Sequence, residues 1–151
     1  HPGNCIVDPN GKFVFIDNGA ICHAPKKVAH ALFHFFDHLS RQEMQQAFDA
    51  LLAMTEVNPT PKKLAKYYAT MTEIYTDFEK KPVGEQSLTR IMMKTVKAAV
   101  EHAGANFGEE AFPIIRALMY LDGLVIRTHP DALLIQSMGP FLEEFKTKLN
   151  I

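Results

Sequence analysis

Two short runs of β-branched and aromatic residues open the chain, Cys5-Ile6-Val7 and Phe13-Val14-Phe15-Ile16. Between them Asp8-Pro9-Asn10-Gly11 carries the Pro and Asn-Gly that favour a turn, so the pattern predicts a β-hairpin. After it the apolar period becomes helical and stays so. Val28, Leu32, Phe35 and Leu39 recur at i, i+4, i+7 and i+11, which places them on the core face of a helix beginning near Pro25. Ser40-Arg41-Gln42-Glu43 reads as a capping box that starts a second helix, running to about Thr55. Asn58-Pro59-Thr60-Pro61 breaks the chain, with Thr60 as N-cap and Pro61 at the first position of a third helix ending near Glu79. A polar loop from Lys80 to Gln86 follows. Ser87 caps a fourth helix that Gly104 ends, and a fifth runs from about Glu109 to Arg127, before His129-Pro130. One or two short helices close the chain, with Gly139-Pro140 between them.

Composition narrows the class without changing this picture. At 151 residues, 47% hydrophobic and 22% charged, the chain has the length and apolar content of one globular domain over residues 1–151. A net charge of −1 and an isoelectric point of about 6.7 give no basic field to gather phosphate backbones, which argues against nucleic acid as a partner. Cys5 and Cys22 match no zinc-knuckle spacing and make no disulfide scaffold, so a reducing compartment is the default. The most apolar stretch, Phe112 to Ile135, is interrupted by Arg116, Asp122, Arg127 and Asp131, and is not expected to cross a bilayer. The chain opens on His1 directly into a motif, which reads as part of a longer protein.

Candidate chemistry gathers at the open end of the hairpin. Symmetrical pairing about the turn sets Cys5 opposite Ile16, Ile6 opposite Phe15 and Asn4 opposite Asp17. An amide carbonyl and a carboxylate are hard oxygen donors of the kind Mg²⁺ accepts, and that ion takes few protein ligands, leaving the rest to water and nucleotide phosphates. From spacing alone the same residues also fit a surface hairpin with polar ends.

The literal residues add a resemblance. His1-Pro2-Gly3-Asn4, a hairpin, and then Ile16-Asp17-Asn18-Gly19 resemble the catalytic-loop and metal-loop pair of kinase-like folds, and are most similar to the ABC1/UbiB (ADCK) family. Aminoglycoside and choline phosphotransferases share a similar loop. A second stretch, Ile115-Arg116-Ala117-Leu118-Met119-Tyr120-Leu121-Asp122-Gly123 with His129-Pro130-Asp131, resembles a further helix of the ABC1/UbiB family in the right order. The resemblance implies a mainly α architecture, the helical C-lobe of a protein-kinase-like fold with a short N-terminal β-hairpin. It implies Mg²⁺ and ATP as cofactors in the full-length parent, with Asn4 and Asp17 as metal and nucleotide-site residues. It places the catalytic Asp two residues before His1, outside this chain, so that the chain alone is expected to be inactive. The N-terminal kinase lobe and lipid or quinone intermediates are the implied partners. A role in ubiquinone (isoprenoid-quinone) biosynthesis or lipid metabolism, associated with mitochondrial, plastid or bacterial membranes, is the implied setting. Asn18 stands where Phe is usual in the family, so loop control is expected to differ; Asp122 stands for the more usual Glu and His129 for the more usual Asp, which leaves the subfamily open without touching the implied metal ligands. The competing reading is a non-catalytic helical interaction module or pseudokinase lobe, in which Asn4 and Asp17 are vestigial.

Other side chains read as structure. His30, His34 and His38 share one helix face, a spacing that can serve zinc. That face lies opposite the Val28/Leu32/Phe35/Leu39 stripe and is expected to be solvated. Cys5 and Cys22 read as small hydrophobes. Ile91, Met92 and Met93, and Tyr67, Tyr68 and Tyr75, read as packing, and lysines 62, 63, 66, 80 and 81 as a solvated face. Arg116 and Asp122, six apart, cannot face each other on one helix, so each needs a partner elsewhere.

Overall fold

The computed structural model describes residues 2–17, 19 and 23–149. Its chain order is mainly α: a short 3₁₀ turn at Pro2–Asn4 and the strands β1 (Cys5–Val7) and β2 (Phe13–Phe15) lead into the helices. These are α1 (Lys26–Ser40), α2 (Met44–Ala53), α3 (Pro61–Ile74), α4 (Leu88–Ala98), α5 (Ala111–Thr128) and α6 (Leu134–Leu149). The α1 stripe faces inward as its period requires, with Phe35 and Leu39 buried and Val28 and Leu32 half-buried. Phe48 and Leu51 of α2, Tyr67 and Met71 of α3, and Phe78 beyond it complete the centre of the core. Tyr67, fully buried, donates its hydroxyl to the Phe48 carbonyl at 2.9 Å, and Tyr75 meets Thr95 Oγ1 at 3.1 Å, so the buried phenols are satisfied.

Several boundaries follow the sequence, and the exceptions have identifiable causes. Thr60 and Pro61 stand at the N-cap and first position of α3, although the Thr60 side chain makes no capping bond. Ser87 Oγ accepts from the Arg90 amide at 3.1 Å and caps α4 as expected. A five-residue π turn, Ala99–Ala103, prolongs α4 until Gly104, whose φ of 77° lies in the left-handed region that ends helices. The capping box at Ser40 does not form. Ser40 is the last residue of α1 and donates to the Asp37 carbonyl at 2.7 Å, while Glu43 turns to His38 Nδ1 at 2.6 Å. The reversal is made instead by Gln42 at φ 61°, with the Glu43 amide donating to the His38 carbonyl.

The third helix is also shorter than expected. It stops at Ile74, and Asp77 at φ 56° starts a separate 3₁₀ turn, Phe78–Lys80, that drops Phe78 into the core. Of the one or two short helices expected at the C-terminal end there is one, of 16 residues: α6 passes through Gly139-Pro140. Proline at 140 cannot donate to the carbonyl four residues back, at Gln136. Both residues lie on the exposed side, where water can satisfy that carbonyl, while Ile135 and Leu142 are buried on either side of the interruption.

The packing order explains how the ends are held. α1 packs on α2 and α6, α3 on α2 and α4, and α5 on α4 and on the Pro2–Asn4 turn. Buried Asp37 of α1 lies between Arg41 (3.1 Å) and Lys146 of α6 (3.7 Å), and Arg41 reaches Glu143 at 2.7 Å. Among the described residues no helix is long and apolar enough to cross a membrane.

Candidate functional site

The hairpin pairs one residue away from the expected register. Cys5 lies opposite Phe15, Ile6 opposite Val14 and Val7 opposite Phe13. The turn explains the shift. The Gly11 amide donates to the Asp8 carbonyl and the Asp8 amide to the Lys12 carbonyl, each at 2.9 Å. Asp8 Oδ1 accepts from the amides of Asn10 (2.8 Å) and Lys12 (2.9 Å). Gly11, at φ 81°, takes the left-handed bulge position, so the loop has three residues, 9 to 11, and is centred on Asn10 rather than between Asn10 and Gly11.

In this register Asn4 is opposite Ile16, whose amide donates to the Asn4 carbonyl at 3.0 Å. Asp17, the expected partner, therefore lies one residue past the position opposite Asn4. The two side chains nonetheless meet diagonally: Asn4 Nδ2 donates to Asp17 Oδ2 at 3.1 Å. Asp17 Oδ1 accepts the Gly19 amide at 2.8 Å, an Asx turn that fixes the carboxylate. A Cβ at Gly19 would lie 3.0 Å from that same oxygen, so a side chain there would crowd it. Asn4 is half-buried on the turn that packs against α5, and Asp17 is exposed. The support from Gly19 was not anticipated, although Asp17-Asn18-Gly19 carries the usual signal for an Asx turn.

This constellation offers two oxygen-bearing side chains within hydrogen-bond distance, one anionic and one neutral. The Asn4 amide presents its nitrogen to Asp17, and a half-turn about its last bond exchanges nitrogen for carbonyl oxygen without moving the backbone. The donor set fits a hard divalent cation that keeps most of its water. Around the pair the hairpin is unusually apolar on both faces, with Ile6, Val7, Phe13, Val14, Phe15 and Ile16 between 43% and 65% exposed.

The other candidates fall elsewhere. His1, Asn18 and Cys22 lie outside the described residues. Cys5 is a half-buried free thiol. Of the histidine face, His30 is exposed, while His34 and His38 are half-buried and stack with ring centroids 6.1 Å apart. The expectation of a fully solvated face is corrected by the α1–α2 reversal, which brings Glu43 onto His38. Tyr67 and Tyr75 are core, Met92 is half-buried and Met93 is exposed. Lysines 62, 63, 66, 80 and 81 are all exposed, and Lys80 pairs with Asp77 at 2.6 Å. Asp122 and Arg116 separate as their spacing demands. Arg116 is exposed, whereas buried Asp122 accepts at Oδ2 from the Thr89 amide (2.9 Å) and hydroxyl (2.7 Å) at the start of α4.

Comparison with known proteins gives weak but consistent likenesses along almost the whole chain. It is 23% identical over 143 residues to an uncharacterized protein of Synechocystis, covering 95% of this chain and 25% of that protein. It is 22% identical over 148 residues to the Arabidopsis thaliana protein ACTIVITY OF BC1 COMPLEX KINASE 3, chloroplastic, covering 93% and 20%. It is 24% identical over 157 residues to the probable protein kinase UbiB of Blochmanniella pennsylvanica, covering 96% and 27%. The chain thus spans only a fifth to about a quarter of the length of these relatives. No family model and no solved structure matches it.

Proposed function

We propose that this chain is the C-terminal, metal-binding part of an ABC1/UbiB-type atypical kinase or ATPase, the helical C-lobe of a kinase-like fold. Asn4 and Asp17 are its ligands to a Mg²⁺ ion that carries ATP. One observation carries the reading: Asn4 and Asp17 meet at 3.1 Å across the open end of the hairpin, with the Gly19 amide holding the second carboxylate oxygen. Two of the relatives are named as kinases, which supports the family part of the proposal.

Within this reading Asp17 binds and orients through its charge, and Asn4 contributes a neutral oxygen that water can partly replace. When bound, the ion offsets the charge of the phosphates during phosphoryl transfer. The N-terminal lobe, the lysine that contacts phosphate and the catalytic Asp belong to the longer parent, so the chain by itself turns over no ATP. We further propose that the parent acts in isoprenoid-quinone biosynthesis or related lipid metabolism at a mitochondrial, plastid or bacterial membrane.

The test uses Mn²⁺ with ATP as a paramagnetic stand-in. Amide resonances of the hairpin's open end should broaden on addition of Mn²⁺ and ATP, Asp17→Asn should abolish the effect, and Asn4→Ala should weaken it less. In the longer parent, Asp17→Asn should lower turnover by about 10²-fold or more, the scale of other electrostatic catalytic groups. Absence of broadening near residues 4 and 17, or broadening that survives Asp17→Asn, would leave the chain as a non-catalytic helical interaction module.

A further inference from the structure

The outer faces of α4 and α5 differ from an ordinary solvated helix face. On α5, Phe112, Arg116, Met119, Tyr120 and Arg127 are all exposed, Phe112 at 72%. At about 3.6 residues per turn these five fall within about a third of the helix circumference, opposite half-buried Leu118 and Val125. On α4 the exposed strip is Arg90, Met93, Lys94 and Lys97, and Val100 continues it into the π turn. Thr89 in the first turn of α4 bonds Asp122 in the second half of α5, and a short connection joins the two helices, so they pack antiparallel. With that contact between them, helical geometry turns both strips to the same side.

Charge on this side is of nearly one sign. Arg90, Lys94, Arg116 and Arg127 make no ion pair among the described residues, and Lys97 meets Glu101 at 3.6 Å. The other exposed acids nearby, Glu109 and Glu110, lie at one end, before α5. The net charge of −1 for the whole chain conceals this segregation. Between the cations stand large apolar side chains that gain by leaving water. A nucleic-acid backbone would satisfy the cations and leave Phe112 and Met119 in solvent. The surface of an anionic bilayer accepts both, with guanidinium and ammonium groups among the headgroups and the apolar side chains below them.

We propose that the α4–α5 face docks flat on an anionic lipid bilayer, through Arg90, Lys94, Arg116 and Arg127 and the apolar residues between them. It gives a surface to the membrane setting proposed above but rests on this face alone. Its failure would leave the Asn4–Asp17 reading standing.

The chain has no tryptophan, so Phe112→Trp supplies a single fluorophore on the face, and Phe13→Trp one on the exposed hairpin. Each 151-residue variant is titrated with vesicles of phosphatidylcholine alone and of phosphatidylcholine with about 30% phosphatidylglycerol. Emission of Phe112→Trp should shift to shorter wavelength with the anionic vesicles only, while Phe13→Trp should not shift. Raising salt from about 0.05 M to about 0.5 M should weaken the binding. Adding Lys94→Gln, Arg116→Gln and Arg127→Gln to Phe112→Trp should weaken it by about 10²-fold, at about fivefold for each cation near the surface. Should that protein lose its helical circular dichroism, Lys94→Glu alone should weaken binding by more than about fivefold. Equal binding to the two vesicle types, a shift in Phe13→Trp instead of Phe112→Trp, or affinity unchanged in the folded charge variants overturns the proposal. So does a shift with soluble polyglutamate and none with vesicles, which would assign the face to an acidic protein.

Discussion

Tyr75 holds its hydroxyl in the core, where burial pushes its pKa up to about 12 from an ordinary value near 10, its bond to Thr95 opposing the shift in part. Burial first, then the neighbouring Tyr75, Tyr68 and Asp49, raises Tyr67 as well. Both are neutral acids whose folded pKa exceeds the unfolded one. Their contribution is therefore fully present below about pH 10 and is lost as pH rises toward 12 and beyond, because the unfolded chain releases protons that the folded one retains. Each such tyrosine adds a slope of about −1.4 kcal/mol per pH unit in that window. Urea midpoints measured at pH 8, 10 and 11 should fall only over the last interval, and Tyr75→Phe should make that fall shallower. A wild-type fall already complete by pH 10 would place the responsible group elsewhere. Asp122 is buried as well: its Oδ2 accepts from the Thr89 amide and hydroxyl at the start of α4, while its Oδ1 has no hydrogen-bond partner among the described residues.

At the scale of elements, local rules succeeded where the cap had no competitor. Ser87 follows a polar loop and meets a free amide at Arg90, so its hydroxyl oxygen takes the capping role its sequence position suggests. Ser87→Ala should lower stability by about 1 kcal/mol, read as a shift in urea midpoint with an unchanged denaturant slope. A change within error would mean that water replaces the cap fully. Ser40 shows the opposite case. The Ser-x-x-Glu spelling was present, but α1 already claimed Ser40, and His38 offered Glu43 a partner at 2.6 Å. The hairpin turned on a single residue in the same way, since a left-handed Gly11 made the loop odd-numbered and moved every cross-strand pair by one.

Over the whole molecule, α6 is held by two distant contacts besides its apolar face. One is the charge cluster of Asp37, Arg41, Glu143 and Lys146. The other joins the loop before α4 to the loop before α6: Val83 N donates to the Ala132 carbonyl at 3.0 Å, and Gly84 N to the Pro130 carbonyl at 2.7 Å. A Cβ at Gly84 would come within 2.9 Å of Pro130 Cβ and 3.0 Å of its carbonyl oxygen, neither of them the end of a flexible side chain. Gly84→Ala should therefore force the two loops apart and cost about 1–3 kcal/mol, the range for overpacking, visible as faster amide exchange in α6 and a lower melting temperature. Wild-type exchange in α6 would show that the loop junction does not hold that helix.

What the sequence determined alone was the alternation of short strands and helical stripes. The mainly α class, the position of the hairpin, the inward face of α1 and the starts of α3 and α4 were all legible from it. These depend on interactions within a few residues, which spacing encodes directly. Asn4 and Asp17 were legible as a pair because a hairpin must bring its two ends together, whatever its register. The diagonal bond between them needed the turn's actual geometry. Tertiary structure decided the rest: that α6 runs unbroken through Pro140, that Glu43 serves His38 rather than a cap, and that Asp122 meets Thr89 across 33 residues of sequence. A cavity walled by side chains from several helices has no local signature at all, because its volume is what remains after every side chain around it has packed.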